Sequence, residues 1–290
     1  MGAAGDASDA NEPRRDLPAR DDRRGAARGG GRGGGAMSNI LAIAQKELKG
    51  YFATPIGYIV IGMFALLWGW FYYVMLIIFN QQSLQLGGLE GGNADINSQL
   101  IRPLFLNASV ILLFVLPLVT MRIYSEEKRS GTIELLLTSP LTDVQIIIGK
   151  FLGAMTLYAA MLAITAIHVG LLFSYGNPEW RVVVIGYLGL LLMGGCFISV
   201  GLLISSMTKN QIVSGMITFA VFLMLWVINW PASFVGPNTQ NILNYLSITE
   251  HFDDFTKGIL DTKHLVYYFS VMAFGLFLTA RSVDTERWKG

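Results

Sequence analysis

Charge is scarce in this chain of 290 residues: 14% of the residues are Asp, Glu, Lys or Arg, whereas 53% are hydrophobic. That balance excludes an ordinary soluble domain and is typical of a protein embedded in a membrane. Basic residues number 21 and acidic residues 20. The sequence has no strongly basic segment outside its glycine-rich start, so we expect no nucleic-acid partner.

Cysteine and nucleotide-binding signals are also missing. The single cysteine, Cys196, lies in an apolar run, which excludes an intrachain disulfide framework and a Cys-based zinc site. Gly149-Lys150 is followed by Phe151 and lacks the upstream glycine of a phosphate-binding loop. The chain therefore has no such loop to cradle the phosphates of a nucleotide, and we expect no catalytic residues, no metal site and no directly bound cofactor.

Six long runs contain no charged residue: 50–89, 103–121, 151–178, 182–208, 210–249 and 264–280. Because about 20 apolar residues cross the hydrocarbon core of a bilayer, the pattern predicts an all-α, polytopic membrane protein with six transmembrane helices. The last run is short, so its span would need tilt or local thinning of the bilayer. His168 is the one ionisable residue within a predicted span. We expect it to hydrogen-bond to a neighbouring helix, and the lack of other such groups argues against coupling to an ion gradient.

The distribution of basic residues predicts the orientation. With six spans, 17 Lys or Arg lie on the side of the N-terminus and four on the other side. The positive-inside rule then places both termini in the cytoplasm, with the chain in the plasma (bacterial inner) membrane. The predicted organisation is a disordered Gly- and Arg-rich tail (1–36), an interfacial elbow helix (37–55), a transmembrane domain (56–282) with an external segment (231–262), and a cytoplasmic tail (283–290).

The elbow helix is predicted from apolar residues that recur at helical spacing before the first span, including Ile40, Ile43 and Leu48. This pattern is typical of an amphipathic helix lying in the membrane interface. Pro55 is expected to separate it from the first span. An ordinary lipid-facing lead-in to the first span fits the same pattern.

Charges concentrate in the loop between the second and third predicted spans. Gly131 is expected to end an extension of span two, Thr132 to cap a short helix over 133–137, and Pro140 to stop that helix. Thr142 with Gln145 forms a capping box that begins span three. From these residues alone, a helix that docks another protein and a helix that rests on the membrane are equally consistent.

Residues 126–140 of this loop, EEKRSGTIELLLTSP, resemble the signature loop of ABC type-2 exporter permeases, and the resemblance extends over residues 37–290. A second set of residues is similar to the gliding-motility-type branch: His251-Phe252, Phe255, Gly258, Asp261, Tyr267-Tyr268 and Arg287-Trp288. The resemblance implies a permease subunit in the lipid bilayer, paired with a second copy or a homologous permease. It also implies a cytoplasmic coupling helix that docks separate ABC ATPase subunits, which bind ATP and Mg and drive export.

Two groups of candidate functional residues follow. The residues expected to couple the loop to the ATPase are Arg122, Glu126, Glu127, Gly131, Thr132, Glu134, Leu135 and Pro140. The residues expected to line the substrate pathway or the dimer seam are Trp68, Tyr72, Phe222 and Trp226, because spans one and five approach the partner subunit in the resembled family. For these aromatic residues, an interfacial aromatic belt is the alternative.

Two further alternatives stay open at this point. The chain is expected to be a permease rather than an enzyme, but a non-transporting membrane anchor that recruits a motility or secretion complex also fits. In the external segment, His251, Asp253, Asp254 and Asp261 have side chains that can bind metals. Their spacing fits no recognised site, so an amphipathic external helix is favoured.

Overall fold

The computed structural model describes residues 32–87, 95–134 and 141–287, and the regular structure in these segments is helical. The predicted all-α class is therefore confirmed. The helices are, in chain order, α1 (Arg32–Ala53), α2 (Pro55–Gly87), a π-helical turn (Asn97–Ile101) that continues into α3 (Arg102–Thr120), α4 (Ser125–Ser130), α5 (Asp143–Tyr175), α6 (Trp180–Met207), α7 (Gln211–Val227), a 3-10 turn (Trp230–Phe234), α8 (Pro237–Leu246), α9 (Ile248–Thr256) and α10 (Thr262–Arg287).

Helix length and composition confirm a multi-pass membrane protein. Within the described residues, five segments are long and apolar enough to cross a membrane: Pro55–Gln85, Asn97–Ser130, Asp143–Tyr175, Trp180–Met207 and Thr262–Thr285. The helix in the remaining predicted span, α7, is apolar but has 17 residues. A crossing needs at least about 17 residues, so α7 lies at the lower limit and the count of six spans stays a prediction.

Several helices extend beyond the charge-free runs. Helix α5 starts at Asp143 and contains Lys150, so the expectation of charge-free spans holds for the middle of this helix but not for its first turns. Helix α10 has 26 residues, and the last span is therefore not short. Its final turns include residues 283–287, which the sequence assigns to the cytoplasmic tail. Charged residues are tolerated there because helix ends leave the hydrocarbon core.

The start of α1 also differs from the prediction. The helix begins at Arg32, inside the segment 1–36 that composition predicts to be disordered, whereas residues 1–31 lie outside the described residues. Glycine lowers helix stability by about 1 kcal/mol relative to alanine, so the glycines at 33–35 hide this first turn from sequence analysis. Helix α1 ends at Ala53 and α2 begins at Pro55, which confirms the predicted break.

Two glycines of α5 allow α1 to pack closely against it. A Cβ atom added at Gly149 would lie 2.7 Å from Cβ of Ile43, and one added at Gly153 would lie 2.7 Å from Cβ of Glu47. Since real Cβ atoms do not approach so closely, glycine is required at both positions. One face of α1 is thus covered by the chain itself, while Met37 on another face is exposed. Its placement in the membrane interface stays a prediction.

Helix α6 lies at the centre of the bundle and uses small residues in the same way. Gly201 packs against Thr120 at the end of α3. On α10, Met272 packs against Gly195, and Gly275 packs against Ser199. The small residues of α6, which include Gly195 and Ser199 four positions apart, therefore serve close packing within one chain.

The two ends of α3 mark the two ends of the bundle. At its start, Arg102 donates to Asp253 of α9 at 2.8 Å. Helix α9 also packs against α6, because Phe252 and Phe255 lie directly over Gly189. The charged loop follows the other end of α3, so the loop and the segment of α8 and α9 lie at opposite ends of the molecule.

Candidate functional site

The charged loop begins with a tight change of direction. The chain leaves α3 at Thr120, turns through residues 121–124 and enters the short helix α4. Gly131 ends α4 with φ 73°, a left-handed conformation that costs L side chains about 1 kcal/mol or more. The prediction that Gly131 ends this helical extension is confirmed. The predicted capping box of Thr142 and Gln145 is present at the start of α5.

Ser205 of α6 holds this turn in place. Its Oγ accepts hydrogen bonds from the backbone N–H groups of Tyr124 at 3.0 Å and Ser125 at 3.1 Å. The same hydroxyl donates to the carbonyl of Met121 at 3.2 Å. Because buried backbone groups need hydrogen-bond partners, a single side chain attaches the start of α4 to α6.

A buried lysine joins α1, α4 and α5. The side chain of Lys150 is 1% exposed, and its Nζ forms ion pairs with Glu47 Oε1 at 2.7 Å and Glu127 Oε2 at 2.9 Å. The ammonium also donates to the carbonyl of Ile123 at 3.0 Å and lies 4.9 Å from the centre of the Tyr124 ring. A buried charge is tolerated only with such compensation. This ammonium group therefore joins α4 to both α1 and α5, and Lys46 of α1 adds a longer contact to Glu127 at 3.4 Å.

Arg122 forms a second link between the loop and α1. It donates to Glu126 Oε2 at 2.9 Å and to Thr54 Oγ1 at 3.0 Å, and its guanidinium lies 5.6 Å from the centre of the Tyr51 ring. The Tyr51 hydroxyl donates to the carbonyl of Val119 at 3.1 Å. Burial raises the pKa of Tyr51, so this hydroxyl remains a donor over the physiological range.

These links surround a cavity of about 340 Å³, lined by Lys46, Glu47, Gly50, Tyr51, Arg122, Ile123, Glu126, Glu127, Ser130 and Thr132. The lining consists mainly of ion pairs and hydroxyl groups contributed by α1, the turn and α4. Such groups bind and orient neighbouring segments. Among the described residues, no cluster of three His, Cys, Asp or Glu is arranged to hold a metal ion.

The structure brings part of the predicted coupling set together. Four of its members line the cavity: Arg122, Glu126, Glu127 and Thr132. Gly131 and Glu134 are exposed beside it. Leu135 and Pro140 lie outside the described residues, as does most of the predicted helix over 133–137. The role of these residues in coupling stays a prediction.

The aromatic residues proposed for the pathway or the dimer seam lie in two environments. Trp68 and Phe222 are fully buried within the chain, and Phe222 stacks on Phe197 with ring centres 4.2 Å apart. Tyr72 and Trp226 are half-buried. In this conformation, Trp68 and Phe222 have no surface with which to meet a substrate or a second copy, and their proposed role stays a prediction.

His168 packs edge-on against Tyr72, with ring centres 5.5 Å apart. Its Nδ1 has no hydrogen-bond partner in the part of the chain that the structure describes. The expected hydrogen bond to a neighbouring helix is thus not found at this nitrogen, and an aromatic contact takes its place.

Lys150 and Ser205 are the residues of this site that sequence analysis missed. In the sequence, Lys150 marks only the edge of a charge-free run. A lysine beside Gly149 and Gly153 is nevertheless a usable signal, because closely packed glycines draw a second helix onto the lysine and force it to find partners there. Ser205 has no such signal, since its acceptors and donors belong to a turn 80 residues away.

Comparison with known proteins identifies the family. Residues 33–281 match the family described as ABC-2 family transporter protein. The chain is 32% identical over 147 residues to the probable multidrug ABC transporter permease YbhR of Escherichia coli strain K12, which covers 49% of this chain and 39% of that protein. The same permease of Escherichia coli O157:H7 matches equally. The chain thus spans about two fifths of the length of these curated relatives. Since the family match includes the charged loop and the helices around it, this chain belongs to the ABC-2 family of transporter proteins.

Proposed function

We propose that this chain is the membrane-spanning permease subunit of an ABC type-2 exporter and that residues 122–142 couple it to a separate ABC ATPase subunit. The observation that supports this most strongly is the contact of Lys150 with Glu47 and Glu127. Through it, a displacement of α4 acts directly on α1 and α5. A loop that merely rested on the membrane would not need a buried charge to connect it to two longer helices.

In the proposed mechanism, the ATPase subunits bind ATP and Mg, and their closure moves the loop. Helix α4 transmits that movement by two routes, through Lys150 to α5 and through Ser205 to α6. Binding energy released on the ATPase thereby shifts the balance between two arrangements of the spans. The exposed Gly131 and Glu134 are the described residues best placed to meet the ATPase surface.

The proposal includes a second permease copy, or a homologous permease, facing α2 and α7. In the most apolar stretch of α2, only 11% of the residues are buried within the chain. On α7, the buried residues are Ser214, Thr218 and Phe222. Most of the apolar surface of these two helices is therefore left uncovered by the chain and can face a partner or lipid.

The membrane, the orientation and the branch of the family belong to the same proposal. The excess of basic residues on the side of the charged loop supports cytoplasmic termini in a bacterial inner membrane. The pattern from His251 to Tyr268 supports the gliding-motility-type branch. Multidrug transport is part of the printed name of the matched relative, and this chain's own substrate would be identified by transport assays.

The test uses the left-handed position that ends α4. The protein is purified with its associated ATPase and placed in lipid nanodiscs. In place of Gly131, Val is strained by φ 73°, whereas Asn tolerates that conformation. We expect Gly131→Val to lower the permease-dependent ATPase rate several-fold and Gly131→Asn to retain it, with both variants inserted in the membrane.

The matched control is Gly170→Val on α5, because it adds the same side chain where nothing lies within 4 Å of an added Cβ and φ is not positive. It should leave the ATPase rate near that of the unmodified protein. An undiminished rate in Gly131→Val would refute the proposed coupling role. A co-purifying ATPase whose rate ignores every cargo tested would favour the membrane-anchor alternative.

A further inference from the structure

A buried chain of hydrogen bonds lies at the end of the bundle opposite the charged loop. His264 Nε2 is 2.8 Å from Asp254 Oδ2, and His264 Nδ1 is 2.7 Å from His251 Nδ1. His251 Nε2 is 3.0 Å from the carbonyl oxygen of Tyr245. His251 is 5% exposed and His264 is 4% exposed. Three contacts in series thus connect the end of α8, the middle of α9 and the first turn of α10.

Counting protons shows what this chain requires. The Tyr245 carbonyl can only accept, so His251 must carry a hydrogen on Nε2. An ionised Asp254 can only accept, so His264 must carry a hydrogen on Nε2. Two neutral imidazoles would then meet with two bare Nδ1 atoms 2.7 Å apart. All three contacts can be hydrogen bonds only if the group holds one additional proton, whether that proton lies on an imidazole or on Asp254.

We propose that Asp254, His264 and His251 form a site for one dissociable proton, and that this proton fastens α8 and α9 to α10. With the proton bound, each contact has one hydrogen. When the proton is lost, two nitrogen lone pairs face each other, and one ring must turn away from Tyr245 or from Asp254. The arrangement in which α8 and α9 are attached to α10 is therefore favoured at lower pH and weakened as the pH rises.

The position of the site gives this change a structural effect. The His251 ring stacks on Tyr267 with centres 3.8 Å apart, so it cannot turn without disturbing α10. Tyr267 and Tyr268 of α10 also donate to the carbonyls of Leu246 and Ile248, at 2.8 and 3.0 Å. Loss of the proton should therefore loosen the outer helices and increase their mobility rather than unfold them.

The other titratable and charged groups around the site, apart from the buried thiol of Cys196, which the test below replaces, have ordinary pKa values outside the range of about pH 6 to 9. They are Glu250 and Asp253 of α9, Lys257 and Asp261 after it, Lys263, Tyr267 and Tyr268 of α10, Tyr245 of α8, Arg102 of α3, Tyr158 of α5 and Cys196 of α6. The pKa of Lys257 is raised by its hydrogen bond to Asp253, and that of Asp261 is lowered by the Lys263 backbone N–H. Both therefore titrate farther from neutrality.

A second proton is disfavoured at this site. Burial lowers the pKa of His251, and the positive charge on His264 lowers it further. A second proton would also place two positive charges side by side at a single Nδ1–Nδ1 contact, which has room for one hydrogen.

The test measures the separation of α8 and α10 with spin labels. Ile242 on α8 and Val266 on α10 are 60% and 55% exposed, so Cys residues there can carry labels without disturbing buried contacts. A Cys196→Ala background removes the native thiol. Labelled copies are diluted with unlabelled protein in nanodiscs. We expect a narrow distance distribution at about pH 6 and a second, broader population at about pH 9.

Two variants distinguish the effect of this proton from a general increase in the mobility of α8, α9 and α10. In Asp254→Asn, the amide donates to His264 Nε2, His264 donates to His251, and His251 donates to Tyr245. All bonds are then complete without a dissociable proton, so the narrow distribution should persist at both pH values. His251→Phe keeps an aromatic ring on Tyr267 but loses both hydrogen bonds, so it should give the broad distribution at both pH values.

The control is His168→Gln, in α5, which should keep the response of the unmodified protein. As a direct readout, nitrogen NMR of labelled histidine should show a hydrogen on one of the two Nδ1 atoms at about pH 6 and on neither at about pH 9. The chain has three histidines, so His168→Gln leaves only the pair. A distribution that does not change with pH, or an Asp254→Asn variant that opens like the unmodified protein, would overturn the proposal.

Discussion

Lys150 and Glu47 are 103 residues apart in the chain, and the Nζ of the lysine donates to the carboxylate at 2.7 Å. The contact lies where α1 crosses α5 at Gly153, whose lack of a side chain lets the two backbones approach. Glu127 from α4 completes the coordination of the ammonium. Close helix packing and charge pairing thus depend on each other at this position.

Removal of the ammonium should be strongly destabilising. Lys150→Met leaves Glu47 and Glu127 facing each other, and breaking a buried ion pair by removing one partner costs about 3 kcal/mol. The measurement is the midpoint of thermal unfolding in detergent. Adding Glu127→Gln removes one of the two like charges and should recover about 1 kcal/mol. Lys49→Met, at an exposed position on α1, serves as the control and should change stability by less than about 0.5 kcal/mol. Equal unfolding midpoints for Lys150→Met and this control would contradict the role of Lys150.

The contact between α1 and α5 can be tested with glycine substitutions on one helix. In Gly153→Ala, the new Cβ would lie 2.7 Å from Cβ of Glu47, and overpacking of this kind costs about 1–3 kcal/mol. Gly170 on the same helix has nothing within 4 Å of an added Cβ. Gly170→Ala should be neutral or stabilising by about 0.5 kcal/mol, because alanine favours the helix. If the two variants have the same unfolding midpoint, α1 does not pack on α5 in this way.

The hydroxyl of Ser205 predicts a clear contrast between two buried serines of α6. Ser205→Ala leaves the N–H groups of Tyr124 and Ser125 without their acceptor, which should cost about 2 kcal/mol. Ser199→Ala removes a hydroxyl that donates to Cys196 of its own helix, and should cost less than about 1 kcal/mol. Hydrogen exchange of residues 121–130 provides the local measurement. We expect faster exchange there in Ser205→Ala alone, and uniform protection in both variants would be the contrary result.

The pairing of Arg102 with Asp253 predicts a dependence on acid pH. Burial favours the neutral form of Asp253, but hydrogen bonds from Lys257 and Arg102 outweigh it and lower the pKa of this carboxyl group. Its stabilising contribution is therefore present above the ordinary aspartate pKa of about 3.9 and is lost as the pH falls through the lower, folded-state pKa. Both side chains are partly exposed, so the contribution should be about 0.5 kcal/mol.

The measurement for this pair is the unfolding midpoint of Asp253→Asn between about pH 3 and 7. The variant should be less stable than the unmodified protein at neutral pH, and the difference should shrink as the pH falls. A difference that stays constant over this range would show that the charge of Asp253 is not responsible.

Local features of the fold were predictable because their causes are close in sequence. The break at Pro55, the left-handed Gly131 and the capping box of Thr142 each depend on a few neighbouring residues, and the structure contains all three. The predicted ends of the long helices were less accurate. The length of a charge-free run depends on the thickness of the hydrocarbon core, whereas the helix can continue beyond it.

The contacts that build the candidate site could not be predicted in the same way. Lys150 meets Glu47 across 103 residues, and Ser205 meets Tyr124 across 81 residues. Neither pair leaves a periodic signal, since each arises only when separate helices come together. His251 and Asp254 were visible in the sequence as metal-capable residues, but sequence analysis did not single out His264. The contacts among the three residues, and thus their need for a proton, required three-dimensional geometry.

The central position of α6 links the two ends of this molecule. Near one end of α6, Ser205 is hydrogen-bonded to the turn before α4. Towards the other end, Gly189 packs against Phe252 and Phe255 of α9. Because α6 is one continuous helix, a tilt at one of its ends is expected to move the other end as well. A small protein or drug that clamps α9 on one face of the membrane is therefore expected to restrain α4 on the opposite face without entering any passage between the helices.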